Sequence, residues 1–399
     1  MKISLKPEVR KALLLGAMCS ISYLAVYFAR NVLGAVTPKM IEDGGFTAEF
    51  IGGLSSLYFI TYAIGQLING IIGDKIKAKY MISLGLFLAG ICNFILPLAK
   101  GNFLISHITY GLTGFFLSMI YGPMTKLVAE NTEPIYATRC SIGYTFASFI
   151  GTPMAGVFAM FLAWQGVFNA GSAALIAMGL ICFFAFTAME KKGVLQYGKF
   201  DRTKEERKGG LKLLIRHRII RFTLISAITG VIRTTVVFWL PTYFSQRLGY
   251  STEKAAFLFT IASLLLSCCI FVAIFLYERL RYNMDLTMLI FFILSAISFI
   301  GAWCVKAKLL NAALITIAIF AADSAASLLW CRYCPGLRDT GMVSSATGFL
   351  DFISYVAAAI SSVVFANAVG AIGWNNLVLV WTILAAAGIV SMIPLKKKQ

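Results

Sequence analysis

The stretch Tyr23-Leu24-Ala25-Val26-Tyr27-Phe28-Ala29-Arg30, continuing through Asn31 to Pro38, places a permanently charged guanidinium deep inside an otherwise apolar segment. An arginine at the centre of a membrane helix costs roughly 2.5–3.5 kcal/mol on insertion scales, so it faces a water-filled cavity or a partner. Roughly two hundred residues later the chain repeats the arrangement, because Arg233 precedes Pro241 by the same spacing that separates Arg30 from Pro38. A Gly-aromatic-hydroxyl-x-Glu run follows each proline, Gly45-Phe46-Thr47-Ala48-Glu49 and then Gly249-Tyr250-Ser251-Thr252-Glu253. Each half of the chain carries one copy.

Working outward from that stretch, 59% of the 399 residues are hydrophobic and only 13% are charged, against about 25% charged in an ordinary soluble domain. A dozen apolar runs, each long enough to span a bilayer, cannot be buried in a chain of this length without lipid. The net charge of +18 invites a nucleic-acid reading, so the placement of the charge decides. The basic residues crowd the N-terminal tail, the 190–218 stretch, the loops after the second, fourth, eighth and tenth apolar runs, and Lys396–Lys398. The opposite loops hold only Lys39, Lys100, Arg247, Lys254, Lys306 and Lys308. That asymmetry is the positive-inside pattern of a multi-pass protein of the cell's inner (plasma) membrane, with both termini cytoplasmic. The bilayer, not nucleic acid, is the expected partner of the positive charge.

The first span is expected from after Lys11 to near Val36. Thr47 is a helix N-cap candidate with Glu49 in the first turn, opening a second span over 50–72. Spans over 80–98 and 103–128 follow, a fifth begins after Arg139, and a sixth ends at Met189. The fifth carries Ser141, Gly143, Ala147, Ser148, Gly151, Ala155 and Gly156, the small residues that let membrane helices pack backbone to backbone. Six more spans are expected at 219–242, 254–277, 286–304, 308–330, 341–366 and 372–394. The organisation is therefore an N-terminal six-helix bundle (1–189), a basic cytoplasmic linker (190–218) and a C-terminal six-helix bundle (219–399). The basic start followed by an apolar run reads as a first span, not a removed signal peptide, since the run contains Arg30 and lacks a clear cleavage site.

The turn Gly70-Ile-Ile-Gly73-Asp74 with Lys75, Lys77 and Lys79, between the second and third spans, resembles the signature of the major facilitator superfamily. Its glycines would let two helices approach, and Asp74 could cap and pair across the bundle. The resemblance implies an all-α membrane fold of twelve transmembrane helices in two pseudo-symmetric six-helix bundles around a central cavity. Within it the chain resembles the organophosphate:phosphate antiporters, which include the bacterial glycerol-3-phosphate and hexose-6-phosphate transporters. The likeness runs from Tyr23 to Trp374. It rests on Tyr23-x3-Tyr27-x2-Arg30, on Tyr62-Ala-Ile-Gly65 with Gly70 to Asp74, on Arg233-x5-Trp239-Leu-Pro241-Thr-Tyr243, and on Gly341 through Thr347-Gly348 to Gly373-Trp374. It implies that Arg30 and Arg233 bind the phosphate, with Tyr23, Tyr27 and Tyr62 nearby. The chain also departs from that pattern. Gln66 stands where glycerol-3-phosphate transporters place a lysine, Ile150 where they place a histidine, and the charged pair of hexose-phosphate members in span eleven is unmatched. Asp351 and Asp323 appear instead, where those members are apolar or small, so a different substrate headgroup is expected.

Two arginines meeting at one site repel unless an anion lies between them, and the planar guanidinium can donate two hydrogen bonds to one phosphate. Gln66 lies one helical turn past Tyr62 on the same face, where its amide could bond a phosphate ester or a sugar hydroxyl. Asp351 reads equally as a contact for a cationic group on the substrate and as a structural partner, while Asp323 leans structural. Lys126 reads as a gate or loop-packing residue and His107 as a packed, hydrogen-bonded histidine. Cys331-Arg-Tyr-Cys334 has redox or zinc spacing but no second ligand pair. No phosphate loop, nucleophile motif or metal cluster is present, so neither an enzyme nor a cofactor is expected. The expected function is secondary transport of a small organic phosphate or related anion, in exchange for inorganic phosphate, by a monomer. The alternatives are a proton-coupled carrier of a carboxylate or phosphonate and a transporter-like membrane sensor.

Overall fold

The computed structural model describes residues 6–42, 46–99, 102–198 and 210–393. Gly45, the 199–209 part of the basic linker, the start of the N-terminal tail and Lys396–Lys398 lie outside them. Among the described residues every regular element is helical. Eleven helices are long and apolar enough to cross a membrane, and the bent pair Ile219–Thr234 with Trp239–Arg247 brings the number to twelve. By contact the chain forms two compact units, Met1–His217 with Cys331–Phe352, and Arg218–Trp330 with Ile353–Gln399.

The first unit contains α1 (Pro7–Glu42), α2 (Ala48–Gly73), α3 (Ala78–Leu98), α4 (Phe103–Asn131), α5 (Pro134–Phe161), α6 (Trp164–Lys191) and the short α7 (Gly210–Arg216). Thr47 caps α2 as its sequence suggests, its Oγ1 accepting from the Phe50 N–H at 3.2 Å. The fifth helix starts earlier than after Arg139. Pro134 occupies its first turn, where a proline has no useful N–H to lose and its fixed φ suits the helix. The helices pair as α1 with α5, α2 with α4, and α3 with both α4 and α6. Lipid gives no hydrophobic reason for two apolar helices to associate, so small residues and polar bonds do the joining. Gly151 of α5 lies against Tyr27 of α1 so closely that any Cβ would overlap its backbone. Asn69 Nδ2 donates to Ser118 Oγ at 2.8 Å between α2 and α4, and Asn93 Nδ2 to Ser172 Oγ at 2.9 Å between α3 and α6.

The second unit departs from six uniform helices. Its first span is α8 (Ile219–Gly230), a wide π-type turn over Val231–Val236, α9 (Val237–Thr242) and a second π-type turn over Tyr243–Arg247, with a bend of 51°. Next come α10 (Thr252–Ser267) and α11 (Cys269–Arg279), broken at Cys268, then α12 (Met284–Cys304) and α13 (Lys308–Leu328). Ser251 accepts from the Lys254 N–H at 3.4 Å, so both copies of the repeated run open a helix in the same way. After α13 the chain makes another π-type turn (Leu329–Tyr333) and the short α14 (Cys334–Gly336). It then enters α15 (Val343–Met392), which breaks at Gly373 with φ 73°. The first ten residues of α15, through Phe352, pack with the first unit and the rest with the second.

Candidate functional site

Tyr23, Tyr27 and Arg30 share one face of α1 through their four- and three-residue spacing, and Phe59, Tyr62 and Gln66 share one face of α2. The guanidinium carbon of Arg30 lies 4.8 Å from the Tyr62 ring centre, 5.2 Å from Tyr27 and 5.4 Å from Phe59. Rings at such distances attract a cation through their quadrupole, by about 0.5–1 kcal/mol each when exposed and more when desolvated. Arg30 is half-buried, with its guanidinium held against aromatic faces. Tyr23 is buried, with ring centres 5.0 Å from Tyr27 and 5.5 Å from Tyr121. Gln66 is 1% exposed, and its Nε2 has no hydrogen-bond partner among the described residues. An amide donor in that position is costly unless a ligand or water meets it.

Tyr58 and Phe59 join this cluster without having been singled out in the sequence. The Tyr58 ring lies 6.1 Å from Tyr62 and 5.2 Å from Tyr110, and its hydroxyl is buried without a partner among the described residues. Tyr58 precedes Tyr62 by one helical turn, a signal that could have marked it. Asp351 is half-buried in the first part of α15, within the same compact unit. The structure thus brings Arg30, Tyr23, Tyr27, Tyr62, Gln66 and Asp351 into one unit.

Arg233 belongs to the other unit and stands in the π-type turn over Val231–Val236. Such single wide turns recur at functional positions because the extra residue redirects a side chain. Arg233 is half-buried, and its turn packs on α13, which carries the buried Asp323. Further along, Tyr243 donates to Asn311 Oδ1 at 2.7 Å, and Asn311 Nδ2 donates to the Ala302 and Val305 carbonyls at 2.6 and 2.8 Å.

Asp74 is buried at the end of α2. One carboxylate oxygen accepts the Ser344 N–H at 2.9 Å and the other the Ser345 N–H at 2.8 Å, which are orphan donors of the first turn of α15. Burial pushes the Asp74 carboxyl up from its ordinary value, and the Ser345 bonds, Lys126 and the Ser344 N–H pull against it. Gly70 and Gly348 meet beneath this contact, where a Cβ on Gly348 would overlap the Gln66 carbonyl. Lys126 donates to the Asp74 carbonyl at 3.0 Å and pairs with Glu130 at 3.7 Å, which is a packing role at the helix end. His107 donates from Nδ1 to the Phe103 carbonyl at 2.8 Å, with its ring 3.9 Å from that of Phe103.

The pattern of the Major Facilitator Superfamily matches residues 19–360. A probable hexose phosphate transport protein of Chlamydia pneumoniae is 22% identical over 165 residues, 40% of this chain and 36% of that protein. The matched stretch therefore spans only about a third of that relative. The membrane sensor protein UhpC of Escherichia coli is 32% identical over 75 residues, 19% of this chain and 17% of that one. A phosphoglycerate transporter protein of Salmonella typhimurium is 24% identical over 391 residues, 89% of this chain and 82% of the relative. Among solved structures, the fucose:proton symporter FucP of E. coli shares the fold with a TM-score of 0.73 at 16% identity, covering 96% of this chain and 98% of its own. A match over most of the length, twelve candidate spans and this shared fold lead to one conclusion: the chain belongs to the Major Facilitator Superfamily.

Proposed function

We propose that the protein is a secondary transporter of a small organic phosphate, exchanged for inorganic phosphate by alternating access. The observation that carries this reading is Arg30, a half-buried guanidinium within an apolar span and against the rings of Tyr27, Phe59 and Tyr62. A cation costs too much in a membrane span to be kept there without a counter-charge to meet. Arg233, its counterpart in the repeat, is the second anion-binding residue of this reading. A bound phosphate lowers the barrier to switching sides. Gln66 and Tyr62 face the ester group and Asp351 selects for its organic part. The relatives named as hexose phosphate and phosphoglycerate transporters support the substrate class. The protein works as a monomer in the inner (plasma) membrane with both termini cytoplasmic.

Counterflow tests the reading. Proteoliposomes loaded with inorganic phosphate should take up labelled phosphate, and a subset of phosphate esters should suppress the uptake. Suppression by carboxylates or phosphonates alone would replace the phosphate reading with that of another anion carrier. The likeness to UhpC favours a second reading, a membrane sensor of phosphorylated metabolites. Saturable phosphate binding with no flux would select it.

A further inference from the structure

The turn between α2 and α3, the end of α4 and the start of the basic 190–218 stretch enclose a cavity of about 220 Å³. Lys75, Lys77 and Lys126 line it against one carboxylate, Glu130, with Tyr197 and Gly198 alongside. All of them belong to the first unit. The protein's own bonds hold this wall in place. Asn131 Nδ2 donates to the Gln196 carbonyl at 2.9 Å and Asn131 Oδ1 accepts the Gln196 N–H at 2.8 Å, which pins the chain beside Tyr197 to α4. The Gly198 N–H donates to Glu130 Oε2 at 3.4 Å, and Glu130 Oε1 lies 3.7 Å from Lys126 Nζ. The charge of Glu130 is therefore met within the wall. Lys126 is only 5% exposed, whereas Lys75 is exposed. Lys77 pairs with Glu190 at 2.7 Å, outside the lining, and its Nζ lies 5.7 Å from the Tyr197 ring centre. The Tyr197 hydroxyl is buried with no hydrogen-bond partner among the described residues. Burial also pushes its pKa above the ordinary value, so it stays a donor, and a buried donor is costly until an acceptor meets it.

We propose that this cavity is a binding site for a phosphate group, carried by a small solute or by a lipid headgroup, and separate from the anion site on α1. A phosphate monoester brings nearly two negative charges and three acceptor oxygens. Lysines meet such a group as point charges, and the Tyr197 hydroxyl supplies a directed donor. The size limits the occupant. About 220 Å³ is the share of roughly seven waters at about 30 Å³ each, room for a phosphate with a few further atoms and below the roughly 300–1,000 Å³ of sites for drug-sized ligands. A nucleotide is therefore too large to be enclosed. Separation from the first site follows from α2, because about 16 Å of helical rise lies between Tyr62 and the end of the helix at Gly73. A phosphate held in the cavity ties the start of the basic stretch to the α2–α3 turn. That turn begins with Asp74, whose carboxylate accepts the Ser344 and Ser345 N–H groups, so occupancy steadies the anchor of α15.

The test is amide hydrogen exchange of the full chain in phosphatidylcholine nanodiscs, read over the peptides that contain residues 126–131 and 196–198. Inorganic phosphate is titrated against chloride at matched ionic strength. Arg30→Lys, in which the proposed anion site on α1 is disabled, serves as a second background. Phosphate should protect both segments saturably in wild type and in Arg30→Lys. Tyr197→Phe removes a hydroxyl that has no partner among the described residues, so the fold is kept while the phosphate midpoint should rise roughly tenfold. Lys75→Gln, at an exposed position, should raise the midpoint as well and decides the matter should Tyr197→Phe not fold. A parallel arm replaces part of the phosphatidylcholine with phosphatidic acid, whose headgroup is a phosphate monoester. Protection in that arm alone assigns the site to a lipid, and protection by dissolved phosphate assigns it to a solute. No protection in either arm, or one midpoint shared by wild type, Tyr197→Phe and Lys75→Gln, would overturn the proposal. Protection that disappears in Arg30→Lys would overturn it too, since phosphate would then act only through the site on α1. Absent counterflow with this protection intact would strike the transport reading and leave the cavity's assignment standing.

Discussion

Replacing Asp74 with asparagine isolates the contact that holds the start of α15. The carboxylate accepts the Ser344 and Ser345 N–H groups at 2.9 and 2.8 Å, and bonds to an ionised acceptor contribute about 1.5–3 kcal/mol each. Asparagine keeps one acceptor oxygen and turns an NH2 group towards the second N–H, so one bond is lost. Removing the negative charge from a helix N-terminus costs a further 0.3–1 kcal/mol or so. Relief of the buried charge offsets part of this, as the upward push of burial on the carboxyl indicates. The net loss is about 2 kcal/mol, a factor of up to about 30 in a local opening equilibrium. Amide hydrogen exchange over residues 343–350, read by mass spectrometry in lipid nanodiscs, measures that opening. Exchange there should quicken by roughly that factor, with α3 as the unaffected control. A change below about threefold, well under the estimate, would refute the assignment of the Asp74 bonds as the clamp on α15. The pH dependence has a definite sign. A folded-state pKa above the unfolded one makes Asp74's titration contribution fully present below the unfolded pKa and lost as pH rises through the folded value. The protection of wild type over Asp74→Asn should therefore widen on acidification.

Arg30→Lys and Arg233→Lys should each abolish phosphate counterflow while membrane expression is unchanged, because lysine keeps the charge but loses the bidentate fork; normal exchange by both would place the site elsewhere. Gly348→Ala should lower the apparent melting temperature through about 1–3 kcal/mol of overpacking against the Gln66 carbonyl and Gly70. Gly156→Ala, where a Cβ meets nothing within 4 Å, should not. Tyr243→Phe should destabilise the second unit by about 1–3 kcal/mol by stranding Asn311 Oδ1, seen as a lower melting temperature; an unchanged value would show that Asn311 finds another donor. Asp351→Asn should cost transport of zwitterionic phosphate esters selectively, and a uniform loss across substrates would point to structure instead.

The spans and the helix starts were legible because they are local. Hydropathy over some twenty residues reports the cost of exposing backbone to lipid, and Thr47 and Ser251 cap their own helices within three residues. Arg30 stood out because a charge in an apolar run needs a reason, and its repeat at Arg233 supplied the second clue. The face shared by Tyr23, Tyr27 and Arg30 followed from helical periodicity alone. Other features depended on partners far away in the chain. Asp74 reaches Ser344 and Ser345 across 270 and 271 residues, and no local rule selects those N–H groups. The bend at the π-type turn around Arg233 also escaped the sequence, since it depends on how α8 and its neighbours pack, not on a proline at that point. The sequence by itself determined a twelve-span chain with two embedded arginines, because periodicity and transfer cost act within a helix. Only the tertiary structure decided that Arg30 rests on aromatic rings while Arg233 stands in a wide turn packed on the helix of the buried Asp323, because pairing between helices is set by packing in three dimensions.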